Sequence, residues 1–168
     1  SDRLSEACRR ALLEVGEAQS VHQVAAEPTA RFLELLGSAI ASGRAHVGGM
    51  NEEQPVDPHR WGWRAECIGS DTVHRPSGER VGWVEGDDLY LNPAAAYRVA
   101  QTTAPSGEGL PISEQTLRKR LKEKGLLAST DPARNSLLVR RVIAGSRHNV
   151  LHLRAASIRP DPVFGEEE

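Results

Sequence analysis

The segment SEQTLRKRLKEKG, residues 113–125, decides how the chain is read. Ser113 is a helix N-cap residue, because its hydroxyl can accept from the backbone N–H groups that open a helix. Glu114 sets a negative charge against the positive end of the helix dipole, and Gly125 supplies the stop. Between them Leu117 and Leu121 are four positions apart and turn inward together with Leu126. Gln115, Arg118, Lys119 and Lys122 lie at i, i+3, i+4 and i+7, one continuous polar and basic stripe on another face. A helix that docks in a nucleic-acid groove needs this composition: cations for phosphates, and Gln or Arg for base edges. Ser113 and Thr116 add hydroxyls at the same end.

Residues 137–143 alternate as a strand, 144–148 read as a turn, and 149–153 return. This hairpin carries Arg140, Arg141, Arg147 and His148. Arg140 and Arg141 point to opposite faces of a strand, so only one shares the helix's side, and Arg147 is expected at the turn tip. Upstream, Asn92 caps and Pro93 opens a helix over about 94–102 that buries Ala96, Tyr97 and Ala100. A Pro- and Gly-rich connection, 104–111, leads from it to Ser113. Residues 88–91 form a strand before it. Strand, helix, turn, helix, two-stranded hairpin is the order of a winged helix-turn-helix, so an α+β fold is expected.

Further out, 27–42 reads as a helix with Pro28 in its first turn, Phe32, Leu35, Leu36, Ala39 and Ile40 as its buried stripe, and Gly43 as its stop. Residues 45–47 form a short strand and 48–59 a loop. Pro76-Ser-Gly78 reads as the turn joining 72–75 to 80–85. The middle region is thus expected to be a small antiparallel sheet with Trp61, Trp63 and Trp83 as its large side chains. Trp61 and Trp63 are expected in the core rather than as a stacking platform for single-stranded DNA. Three parts result: an N-terminal helical segment (1–26, with a helix over 2–19), a winged-helix domain (27–158) with a β insertion (about 45–91), and a disordered acidic tail (159–168).

Net charge over the 168 residues is −2, yet residues 112–154 carry ten Lys or Arg against three acidic residues. Residues 1–111 carry ten against sixteen, and the last fourteen carry one against four. A basic block in an acidic frame steers polyanions to one face. Cys8 and Cys67 are too isolated for a disulfide framework, so a reducing, cytoplasmic compartment is expected, with Cys67 a small core residue. No apolar run approaches a membrane span of about 18 residues, and the N-terminus lacks a signal-peptide pattern and a Met, suggesting a piece of a longer protein.

Catalytic chemistry finds no support. Nucleophile motifs are missing, and Gly48-Gly49 and Gly107-Glu-Gly109 do not match a phosphate loop. Asp87-Asp88 read as turn residues. His46, His59, Cys67 and His74 have zinc-compatible side chains but irregular spacing, so no metal and no cofactor is expected. His148 and His152 read as strand histidines.

Several stretches together resemble a known module: Phe32-Leu-Glu-Leu-Leu36, Ser42-Gly-Arg-Ala-His46, Gly82-Trp-Val84, DDLYLNPAAAY (87–97), and TLRKRLKEKGLL (116–127). The resemblance covers about residues 28–153. It is to the C-terminal module that follows the ATPase in primase-helicase-type replication proteins of bacterial plasmids, integrative elements and phages. It implies a winged-helix module that helps a motor engage DNA. The P-loop, Walker acid and primase carboxylates of that family have no counterpart here, so only the DNA contact carries over. The expected function is accessory DNA binding, to single or double strands, alongside the ATPase part of a parent chain. The alternatives are a docking module for an ATPase or replisome partner, and a transcription regulator dimerised through the 2–19 helix.

Overall fold

The structure, a computed structural model, describes residues 27–158; the helix expected over 2–19 and the tail 159–168 lie outside the described residues. The fold starts with α1 (Pro28–Ala41), capped by the Glu27 carboxylate, which accepts from the Ala30 amide at 3.2 Å and from the Thr29 hydroxyl. Burial alone would raise the pKa of that carboxylate, but the bonds from Thr29 and Ala30 outweigh burial and hold it below its usual value. Phe32, Leu35, Leu36, Ala39 and Ile40 are all buried, as their helical spacing predicts. Past Ser42 and Gly43 the chain turns back, the Arg44 amide bonding the Ala39 carbonyl at 2.9 Å, and runs into β1 (Ala45–Gly48).

The middle region departs from the small antiparallel sheet expected of it. β2 (Trp63–Ile68) and β3 (Asp71–Pro76) pair only with each other, forming a two-stranded arm. β4 (Glu79–Glu85) runs parallel to β1 and antiparallel to β5 (Asp88–Leu91). Pro76-Ser-Gly78 is therefore not a hairpin turn but the passage from the arm to the main sheet. The reason lies at Gly78, which has φ +74 and is pressed so closely on Arg44 that a Cβ would stand 2.1 Å from its carbonyl carbon. That approach lets the Glu79 amide bond the Arg44 carbonyl at 2.9 Å and starts β4 beside β1. Cys67, expected in the core, is exposed on the arm, because both faces of a two-stranded arm meet water.

α2 (Pro93–Thr103) is capped by Asn92, whose side chain accepts from the Ala95 amide at 3.2 Å. α3 (Glu114–Glu123) follows, then β6 (Leu127–Ser129), a 3-10 turn at Pro132–Arg134, β7 (Val139–Ile143) and β8 (Ser146–Arg154). Sequence periodicity missed β6, which has only three residues. The main sheet has the order β1-β4-β5-β8-β6, with β7 paired to the first half of β8. β8 is its hub: Ser146–Val150 take β7, while the second half lies between β5 and β6.

Strand alternation sorts the sheet into two faces. On the near face Leu89, Leu91, Leu151 and Leu153 join Leu36, Ala96, Val99, Leu117 and Leu121 of the helices in the main core. On the far face Trp83, Tyr90, Val139, Ile143 and Val150 form a second cluster, covered in part by Met50. Val81 faces the first cluster and Trp83 the second although they are two apart. The β1–β4 register slips at Val81, His46 pairing with Arg80 and Val47 with Gly82, and such a bulge switches the face. A Cβ on Gly82 would lie 2.3 Å from the Tyr90 carbonyl oxygen, so only glycine fits. Overall this is a mixed α+β domain. Among the described residues no helix is long and apolar enough to cross a membrane.

Candidate nucleic-acid interface

α3 is short, and ten residues do not make a stable helix alone. Leu117 and Leu121, at 1% and 0% exposure, seat it. Burying two leucines contributes roughly 3–6 kcal/mol, enough to fix which face turns outward. The cap works as its sequence predicts: Ser113 Oγ accepts from the Thr116 amide at 3.2 Å and donates to Thr116 Oγ1 at 3.1 Å. The two hydroxyls singled out at this end are thereby engaged with one another. Gln115, Lys119 and Lys122 are exposed, and Arg118 is half-buried with Nη2 on Glu114 Oε1 at 3.2 Å.

Gln115, Arg118 and Lys119 share a cleft of about 230 Å³ with Asn135, Ser136 and Leu137, the segment that leads into β7. This wall is built from a closed turn. Asp131 and Ser136 exchange both backbone hydrogen bonds, at 2.9 and 3.0 Å. The Asp131 carboxylate accepts from Arg134 Nε at 2.5 Å, the leading cause that holds its pKa below the usual carboxylate value.

The hairpin differs from its expected form. Its turn is only Ala144-Gly145, both at positive φ (49° and 81°), the primed-turn geometry that matches strand twist. Arg147 and His148 are not turn residues: they belong to β8, opposite Val142 and Arg141. The tip is also tied down, the Ala144 amide donating to the Met50 carbonyl at 2.9 Å. Ala-Gly lacks the Asn or Asp that advertises this turn, and the polar Ser146, Arg147 and His148 blur the strand start.

Alternation divides the four hairpin residues. Arg141 lies over the Tyr90 ring at 5.3 Å and the His148 ring 5.1 Å from that of Trp83, both against the far-face cluster. Arg140 and Arg147 take the opposite parity and share the near side with α3. The six residues gathered on the near side are therefore Gln115, Arg118, Lys119, Lys122, Arg140 and Arg147, while Arg141 and His148 face away.

One constellation escaped the sequence. Ser129 Oγ lies 2.6 Å from His152 Nδ1, and His152 Nε2 lies 2.8 Å from Asp88 Oδ1, which also accepts from Arg154 Nη1 at 2.9 Å. The imidazole stacks on Tyr90 with ring centroids 4.8 Å apart. The His152 bond, chief among the lowering causes, holds Asp88 below its usual pKa. These are nucleophile, base and orienter types, but each belongs to a different strand, β6, β8 and β5, and the chain of bonds laces the three together. No sequence signal joins residues so far apart. Asp88, read as a turn residue, is the anchor. Among the described residues no group of three or more His, Cys, Asp or Glu is placed to hold a metal ion. His46, in β1, instead contacts the Ser77 carbonyl through Nδ1 at 3.1 Å.

Comparison with protein-family models, curated proteins and solved structures finds no match to this chain.

Proposed function

We propose that residues 88–153 act as a winged helix-turn-helix, a DNA-binding accessory module of a primase-helicase-type replication protein from a mobile element. The observation that carries this reading is the near-side surface: Gln115, Lys119 and Lys122 exposed on one face of α3, with Arg140 and Arg147 on the same side of the sheet. The order β5, α2, α3, then the β7–β8 hairpin, with β5 beside β8, agrees with such a module. In this reading α3 lies in the major groove with Gln115, Arg118, Lys119 and Lys122 toward the DNA, and Arg140 and Arg147 hold flanking phosphates. A cytoplasmic location and a parent ATPase follow from the same role.

The test is fluorescence anisotropy of labelled duplex and single-stranded DNA at several salt concentrations. Replacing Arg118 and Lys119 by Ala is expected to weaken binding and to flatten its salt dependence by about one unit for each phosphate that the variant no longer neutralises. A double variant that binds like the parent would place the DNA-binding surface elsewhere.

A second reading, a docking module for an ATPase or replisome partner, is favoured by a different feature. Val56 on the 49–59 loop and Ile68 and Val73 on the β2–β3 arm are exposed, and apolar side chains in water suit a protein partner. Its mark is a complex that survives high salt, without affinity for DNA.

A further inference from the structure

We propose that the cleft between α3 and residues 135–137 seats one phosphate group, and that Glu114 occupies Arg118 Nη2 until that phosphate takes the carboxylate's place. The proposal deepens the DNA-binding reading of α3 and rests on it for the source of the phosphate.

The cleft is lined by donors. Gln115, Lys119 and Asn135 have no hydrogen-bond or ion-pair partner for their side chains among the described residues, and all three are exposed. Ser136 Oγ accepts from the Leu138 amide at 3.1 Å, which leaves its hydroxyl proton free to donate. Two amides, a hydroxyl and an ammonium around one concavity suit an oxyanion with several acceptor oxygens. Arg118 completes the set. Its Nη2 is taken by Glu114 at 3.2 Å, while its buried Nε has no partner. Such an i,i+4 pair on a helix surface is weak, so a phosphate can displace it, and Arg118 then gains a bidentate partner.

The wall opposite α3 is preorganised. Asn135 stands in the left-handed region at φ 50, and its backbone amide donates to the Pro132 carbonyl at 3.1 Å within the turn closed by Asp131 and Ser136. The backbone that carries Asn135 and Ser136 therefore needs no reordering to meet a ligand. Size sets the ligand class. At about 230 Å³, the cleft is smaller than the roughly 300–1,000 Å³ of sites that enclose a small molecule. It fits a phosphate whose substituents continue outside, a phosphodiester of a nucleic-acid backbone, or a free phosphate ion.

The experiment is proton–nitrogen correlation NMR of the full chain, wild type and with Glu114→Gln or Asn135→Gly. Glycine keeps the left-handed backbone at 135 while deleting the side-chain amide. Each protein is titrated with sodium phosphate against sodium chloride at matched ionic strength, then with a duplex oligonucleotide. Shifts confined to Gln115, Arg118, Lys119, Asn135 and Ser136 are expected with phosphate, and the same amides are expected to move with duplex alongside those of Lys122, Arg140 and Arg147. Affinity for phosphate is expected to be roughly threefold or more tighter for Glu114→Gln and weaker for Asn135→Gly. Shifts with phosphate and no binding of duplex keep the cleft as a free-phosphate site and sink the DNA reading. Duplex binding that leaves these amides unmoved overturns the cleft and spares the DNA reading. Silence in both titrations, or phosphate-induced shifts spread over every basic residue, overturns the proposal.

Discussion

Ala144 holds φ 49 at the hairpin tip without being glycine, a conformation that costs an ordinary L-residue about 1–2 kcal/mol. Ala144→Gly is expected to stabilise the chain by about 0.5 kcal/mol, the relief of strain being partly offset by the greater freedom of the unfolded glycine. Urea midpoints of the two proteins measure it, and a lower midpoint in the variant would contradict the strain. Asp88 makes a different residue-scale prediction. Its folded pKa is depressed, chiefly by the His152 bond among the lowering causes, so its contribution is present above the unfolded value of about 4 and is lost as pH falls through the lower folded value. Stability of the wild type should fall between about pH 5 and pH 3 more steeply than that of Asp88→Asn. Parallel pH curves for the two would remove Asp88 from the acid response.

At the scale of elements, the close pairing of β4 with β5 depends on Gly82. Gly82→Ala sets a methyl against the Tyr90 carbonyl and is expected to cost about 1–3 kcal/mol, read as a lowered denaturation midpoint. Legibility follows the same scale. The three helices could be read because each announces itself locally: Glu27-Pro28, Asn92-Pro93 and Ser113-Glu114 at the starts, leucine and alanine stripes within. The α3 stripe was legible for the same reason. Pairing was not. Ala45 against Glu79 is a parallel contact across the whole arm, and nothing local to Pro76-Ser-Gly78 says whether the chain folds back on β3 or crosses to β1. Arg140 and Arg141 show a middle case: periodicity required them to face apart, but only the position of Tyr90 decided which faces α3.

Over the whole molecule, stability is unevenly spread. Leu89, Leu151 and Leu153 are fully or nearly fully buried, in neighbouring strands under the helices. The β2–β3 arm has two strands, and most of its residues are exposed, an arrangement that is marginal by itself. Hydrogen exchange should therefore show the amides of the β5–β8 pair opening only with global unfolding, and those of the arm far sooner. Equal protection of both would contradict this division. The charge pattern acts at the same scale: the basic stretch that includes α3 and the hairpin is set within acidic flanks, a field that orients an approaching polyanion before any contact forms.

β8 is the strand on which β5, β6 and β7 all depend, and it comes last among the described strands. During synthesis Leu91 must wait sixty residues for Leu151, its partner, which at roughly 5–20 residues per second is a delay of several seconds. Until then β5 is an open edge, and Leu89 and Leu91 lack the β8 leucines that pair with them. A ribosome stalled before residue 146 would hold a sticky intermediate with that edge uncovered. The chain covers that edge, and gains its protection from aggregation, in one late event.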